Sequence, residues 1–173
     1  REIDMSYNPI LYKSKSWIKN RSTHSGSEIA LSISNTSIIE FKFNTVSKAT
    51  QSIEITLNGK KEYLSFPSQN NKPIKISLDK EKINNISVRY ICEYFYDPCN
   101  MQLISLRAPA NAVITAYKPH KKTISVIGDS ISTMYGKDNY TILLADKLGY
   151  ELHNSSILSS TLVKIPSIPS AQD

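Results

Sequence analysis

Two hydrophobic patterns meet at Lys118-Pro119-His120-Lys121-Lys122, and no single layer of secondary structure accommodates both. Upstream, apolar residues recur at every second position, the period of a strand with one buried face. Downstream, a β-branched run (Ile124, Val126, Ile127) stops at Gly128, and an apolar helical pattern follows from Tyr140 to Leu148. Gly149 closes that helix, and a second short apolar run begins at Glu151. A polar stretch carrying a proline continues neither strand nor helix, so the boundary is placed there. Residues 1–119 form one expected domain and residues 120–173 the beginning of another.

The first 119 residues carry strand signals almost throughout. Ile29, Leu31 and Ile33 alternate with polar neighbours, as do Ile39, Phe41 and Phe43, and Ile86, Val88 and Tyr90. Ile53, Ile55 and Leu57 lead into Asn58-Gly59, and Tyr63, Leu64 and Phe66 follow. Asn-Gly between alternating runs is the strongest short-range signal for a two-residue hairpin. Further runs start at Trp17, Pro73, Leu103 and Ala112, whereas Leu78 to Asn84 reads as a loop. About seven or eight short strands at roughly ten-residue spacing predict an antiparallel β-sandwich of jelly-roll type.

From Thr123 the order is strand, turn, helix, glycine, strand, which is one βαβ unit and implies a parallel pair. Asp138 or Asn139 is placed to cap the helix, with Tyr140, Leu143, Leu144 and Leu148 on one face. Two parallel strands and one helix are too few to close a core. The expectation is therefore that the α/β part is incomplete, its sheet finished by further polypeptide or by a second chain.

Composition narrows the function classes. Hydrophobic residues make up 40% and charged residues 21%, enough apolar material for a packed core. The net charge of +6 is spread over scattered pairs such as Lys60-Lys61 and Lys121-Lys122. With no aromatic-basic platform beside them, these charges argue against nucleic acid. No apolar run is long enough for a membrane span, and Arg1-Glu2-Ile3-Asp4 does not read as a signal peptide. Cys92 and Cys99 lack zinc-site spacing; they fit either a hairpin disulfide or two unpaired small hydrophobes. A disulfide would suit an extracellular or cell-surface setting. Tyr90, Tyr94, Phe95 and Tyr96 are the densest aromatic group, suited to core and edge packing or to stacking on sugars.

The turn between the first parallel strand and the helix carries Gly128-Asp129-Ser130. A serine there stands at the carboxyl end of a strand, where open α/β sheets keep their chemistry. Gly128-Asp129-Ser130-Ile131, then Tyr135-Gly136 and the helix ending Leu148-Gly149, resembles the first motif block of SGNH (GDSL-type) hydrolases. The run His153-Asn154-Ser155-Ser156-Ile157-Leu158-Ser159-Ser160-Thr161 resembles the second block. A β-sandwich ahead of such a domain is similar to two-domain carbohydrate esterases that remove acetyl groups from polysaccharides. The resemblance implies Ser130 as nucleophile, with its own N–H as one oxyanion donor, and Gly128 and Asp129 as the supporting turn. Ser159 stands where the family has the second block's glycine, and its N–H is the candidate second donor; a register shift of one would put Ser160 there. It implies an acetylated carbohydrate or other ester as substrate, and no metal or organic cofactor.

The family's later blocks, a Gly-x-Asn-Asp and a final Asp-x-x-His that supplies the base, are absent from these 173 residues. None of the three histidines takes the base's place. His120 precedes a strand of roughly seven residues, ~20 Å or more from its carboxyl end. His153 falls in the second strand and His24 in a remote loop. The sequence thus reads as an incomplete, inactive portion of an ester hydrolase. Two other readings stand beside it. One is a glycan- or protein-binding jelly-roll module carrying a degenerate hydrolase remnant. The other is an interaction protein whose βαβ unit completes its sheet against a partner.

Overall fold

The structure is a computed structural model that describes residues 2–4, 11–13, 17–18, 21–22, 25–45, 51–66, 72–92, 101–133 and 136–156. Short strands β1 (Glu2–Asp4), β2 (Tyr12–Lys13), β3 (Trp17–Ile18) and β4 (Arg21–Ser22) precede the longer β5 (Glu28–Ser34) and β6 (Ile38–Thr45). They are followed by β7 (Gln51–Leu57), β8 (Lys60–Phe66), β9 (Pro73–Ser77), β10 (Asn84–Cys92), β11 (Met101–Arg107) and β12 (Val113–Ala116). The chain then runs through β13 (Thr123–Val126), α1 (Ser130–Thr133), a 3₁₀ turn (Gly136–Asp138), α2 (Tyr140–Leu148) and β14 (Glu151–Asn154).

The first twelve strands build two antiparallel sheets. In one the order is β3-β4-β11-β6-β9, with β1 on β11; in the other it is β12-β5-β10-β7-β8, with β2 on β5. The β7–β8 hairpin turns at Asn58 (φ 50°) and Gly59 (φ 87°), both positive as a type I′ turn requires. Ile83 and its neighbours form a loop, as expected. The three short strands β1, β2 and β4 carry no alternation long enough to be read from the sequence.

One apolar cluster takes residues from both sheets: Ile29, Leu31, Ile53, Ile86, Val88 and Tyr90 from one, Ile39, Phe41, Phe43, Met101 and Leu103 from the other. Period-two alternation puts each set on a single face. Phe41 and Phe43 lie with ring centroids 6.1 Å apart. Tyr90 is fully buried, and its hydroxyl donates to Gln51. Tyr94, Phe95, Tyr96 and the Cys92–Cys99 pairing lie outside the described residues and side chains.

The remaining strands form the expected βαβ unit. β13 and β14 are parallel, Thr123 opposite Glu151 and Val126 opposite Asn154. Asn139 is the N-cap of α2, its side chain accepting from the Thr141 N–H, and Gly149 ends the helix at φ 65°. A second, smaller core joins this unit to the second sheet. Ile142 and Ala145 of α2 and Leu152 of β14 pack with Ile91, the residue of β10 that points away from the main core.

Here the face of α2 differs from the sequence expectation. Thr141, Ile142 and Ala145 are buried, whereas Tyr140, Leu143, Leu144 and Leu148 are exposed by 50, 52, 40 and 46%. The small and branched side chains let the helix lie close on the sheet, and the larger leucine face is left open. Ile127 and Ile131, on the neighbouring turn, are exposed by 69 and 60%. Among the described residues, no helix is long and apolar enough to cross a membrane.

Candidate active site

Residues 127–129 carry the chain from the carboxyl end of β13 into α1, whose first residue is Ser130. The description of Ser130 covers its backbone and not its side chain. Asp129 holds the turn as its residue type suggests: its Oδ1 accepts from the Ile131 N–H at 3.0 Å, and its carbonyl accepts from the Ser132 N–H at 3.1 Å. Gly128 has a steric reason to be glycine. A Cβ at that position would lie 2.3 Å from Ser132 Oγ and 3.3 Å from Ser156 Oγ.

Parallel pairing brings the second motif region beside this turn. The Ser155 N–H donates to the Val126 carbonyl at 2.9 Å, extending the register one step beyond β14. Asn154, 1% exposed, donates from Nδ2 to the Ser132 carbonyl and accepts at Oδ1 from the Ser156 N–H. Ser132 is itself buried, and its hydroxyl shares a 2.7 Å hydrogen bond with Tyr140. Gly128, Asp129 and the backbone of Ser130 are therefore gathered with Asn154 and Ser156 at one end of the parallel pair. Ser159 and Ser160 lie outside the described residues.

The histidines are placed elsewhere. His120 sits at the amino end of β13, its Nδ1 3.2 Å from the Gly149 carbonyl that ends α2. Its Nε2 faces Glu28 Oε2 at 3.0 Å, an ion-pair contact rather than an aligned hydrogen bond. The strand that follows is four residues long, shorter than expected, yet His120 is still at the end opposite Ser130. His153 lies within β14, 3.4 Å from Ser155 Oγ, and His24 lies outside the described residues.

A charge cluster that the sequence did not disclose holds the βαβ unit on the second sheet. Register places Arg89 of β10 directly between Glu28 of β5 and Glu54 of β7. All three are at least 95% buried, on the face away from the main core. Asp146 of α2 reaches this row: its Oδ1 is 2.7 Å from Arg89, and its Oδ2 2.9 Å from Lys61 of β8. Tyr63 donates to Glu54 at 2.6 Å, and Ser87 donates to Glu28.

These contacts set the protonation states. Burial pushes Asp146 up, but Arg89 and Lys61 outweigh it and hold the carboxyl below its usual range. Burial likewise opposes charge on Glu28, and His120, Arg89 and Ser87 together keep its carboxyl below the ordinary value. His120 is raised, chiefly by Glu28 against the cost of burial. The non-core faces of β5, β7 and β10 were legible as polar from their alternation, but polarity on that face is equally the mark of a sheet open to water.

Two cavities accompany these elements. The larger, about 400 Å³, opens between edge strands β8 and β9 and is floored by Ile55, Leu57, Leu64, Ile74 and Ile76. The smaller, about 190 Å³, lies over the charge cluster among Arg89, His120 and Asp146. Among the described side chains, neither is lined by Gly128 or Asp129.

No family model matches the sequence. No curated protein matches it either. Solved structures do match in fold. An acetyl xylan esterase from the rumen bacterium Butyrivibrio proteoclasticus superposes at a TM-score of 0.72 and 12% identity, over 94% of this chain and 50% of that one. A salicylyl-acyltransferase from a tetracycline biosynthetic pathway gives 0.69 and 12%, over 92% and 55%. A family two carbohydrate esterase from Clostridium thermocellum in complex with cellohexaose gives 0.62 and 14%, over 88% and 52%. The chain spans about half the length of each of these neighbours. At such identities the likeness is one of fold.

Proposed function

We propose that this chain is the sandwich and leading α/β portion of an SGNH-type serine esterase that removes acetyl groups from a carbohydrate polymer. In this reading residues 1–119 form a jelly-roll-like sandwich, and residues 120–173 begin the catalytic α/β domain. The observation that carries it is the turn: Gly128-Asp129-Ser130 follows a parallel strand, opens a helix, and lies beside Asn154, the last residue of the second parallel strand, and Ser156 just beyond it. Fold neighbours that include an acetyl xylan esterase and a cellohexaose-bound carbohydrate esterase support the substrate class.

The chemistry is acyl transfer. The Ser130 hydroxyl attacks the acetyl carbonyl and its proton passes to a base, while backbone N–H groups of Ser130 and of the Ser159 position receive the oxyanion. The tetrahedral intermediate expels the sugar hydroxyl, and water then releases acetate from Ser130. The base and a further oxyanion donor are assigned to polypeptide beyond these 173 residues, carrying Gly-x-Asn-Asp and Asp-x-x-His. The same polypeptide would extend the two-stranded sheet and cover Leu143, Leu144 and Leu148, which are about half exposed. A polymeric substrate puts the enzyme outside the cell.

The test is turnover of p-nitrophenyl acetate and acetylated xylan by the full-length protein and by Ser130→Ala. Loss of both activities in the variant is expected; undiminished turnover removes Ser130 from the mechanism. The 173-residue chain by itself should hydrolyse neither ester above background. Ser130-dependent hydrolysis by that chain would put the base within it.

A further inference from the structure

α1 is a single turn of four residues, and an isolated turn does not sustain itself, because nucleating a helix costs more than its first hydrogen bonds return. Its last carbonyls also lack partners within the helix. Two of these carbonyls, those of Ile131 and Ser132, are taken by buried side-chain amides. Asn139 Nδ2 donates to the Ile131 carbonyl at 3.0 Å, and Asn154 Nδ2 donates to the Ser132 carbonyl at 2.5 Å. The two asparagines are 2% and 1% exposed.

Each amide is fixed in orientation by what it meets on its other side. Asn139 Oδ1 accepts from the Thr141 N–H at 2.8 Å, and Asn154 Oδ1 accepts from the Ser156 N–H at 3.0 Å. A backbone carbonyl can only accept and an N–H can only donate, so neither amide can be turned over without losing both bonds. Asn139 is anchored in the cap of α2 and Asn154 at the end of β14, so α1 is registered against both flanks of the βαβ unit at once.

We propose that Asn139 and Asn154 are positioning residues for Ser130: a pair of buried amides that grip successive carbonyls of its helix and fix where that helix starts. The inference rests on the reading of Ser130 as the nucleophile. Their work is done through α1, not on the substrate. Releasing the grip removes no group that touches the substrate but lets the nucleophile and its N–H drift, and a displacement of ~1 Å can cost on the order of a hundredfold in rate.

Aspartate separates this role from ordinary structural support. Asn139→Asp keeps the acceptor that caps α2, and Asp and Asn are equivalent caps, but it cannot donate to Ile131. Asn154→Asp likewise keeps the Ser156 bond and loses the one to Ser132. Asn139→Ser caps without placing a carboxylate against the carbonyl, and serves if the aspartate variant fails to fold. The full-length protein, its three variants and Ser130→Ala are assayed on p-nitrophenyl acetate, with thermal unfolding measured alongside.

The expected result, in variants that remain folded at the assay temperature, is a fall in kcat of about ten- to a hundredfold with KM held within about threefold, whatever the loss in melting temperature. If folded Asn139 and Asn154 variants keep full kcat while Ser130→Ala is inactive, the grip is refuted and the nucleophile stands. A kcat loss that only tracks the loss of folded protein also refutes it. If Ser130→Ala retains activity, the underlying reading fails and this inference falls with it.

Discussion

Replacing Arg89 with methionine would remove the cation that three carboxylates share. Arg89 Nη1 lies 2.7 Å from Asp146 and 3.5 Å from Glu54, and Glu28 stands directly opposite it on β5. Methionine keeps much of the aliphatic stem, so the loss is chiefly one of charge. Breaking a buried ion pair by deleting one partner costs about 3–5 kcal/mol, because the other charge is left behind. The structure argues for the lower end. Asp146 is 27% exposed and can recover water, Glu54 keeps Lys61 and Tyr63, and Glu28 keeps Ser87 and His120.

A loss of about 3 kcal/mol, at a urea dependence of roughly 2 kcal/mol per molar, lowers the unfolding midpoint by about 1.5 M. Adding Asp146→Asn should restore part of that loss, since one orphaned carboxylate is then gone. Lys60→Met is the control: its partner Glu62 and Lys60 itself are 65% and 81% exposed, and the midpoint should not move. An Arg89→Met midpoint within about 0.3 M of the parent would mean that the charge cluster is not what holds α2 to the sheet.

Three further outcomes follow from other contacts. His120 is raised above its ordinary value, so its contribution is complete below pH 6.5 and is lost as pH rises through the raised value. Urea midpoints across that range should fall with pH in the parent chain and flatten in His120→Gln; a parallel fall in both would exclude His120. Gly128→Ala drives a Cβ onto Ser132 Oγ and should destabilise by about 1–3 kcal/mol, with Ser132→Ala in the same chain recovering part of it. Calorimetry showing no change in Gly128→Ala would mean the turn has slack. Leu143→Glu with Leu144→Lys should leave the 173-residue chain as stable as before, because both side chains are exposed, yet should destabilise a longer protein that covers them. Equal melting temperatures for parent and variant in the longer protein would show that this face stays open.

Much of the fold could be read from residue order. Asn58-Gly59 fixed a hairpin because few other dipeptides take two positive φ angles, and Asp138 or Asn139 on one side and Gly149 on the other marked the ends of α2 by their capping chemistry, with Asn139 the cap in the structure. The parallel pair followed from strand, helix and strand in succession. Period two told inside from outside for β5, β7 and β10, but not whether outside meant water or another layer. Residue order therefore gives no sign that Arg89, Glu28 and Glu54 are buried.

The same ambiguity misled the reading of α2. Its leucines make the more apolar face, yet Ile142 and Ala145 are the residues that meet Ile91. For the candidate site, the sequence put Gly128, Asp129 and Ser130 on a turn at a strand end. It gave no sign that Asn139 and Asn154 reach back to that turn, since both side-chain bonds depend on tertiary placement.

Ser130 as the nucleophile is tested most directly by trapping it. A fluorophosphonate incubated with active full-length protein would form an Oγ–P bond and expel fluoride, and digestion would release the peptide Thr123–Lys137 for mass spectrometry. The adduct is predicted on Ser130, with loss of esterase activity in proportion to labelling and no adduct in Ser130→Ala. Labelling of another residue in step with inactivation, or activity that survives complete labelling of Ser130, would contradict it.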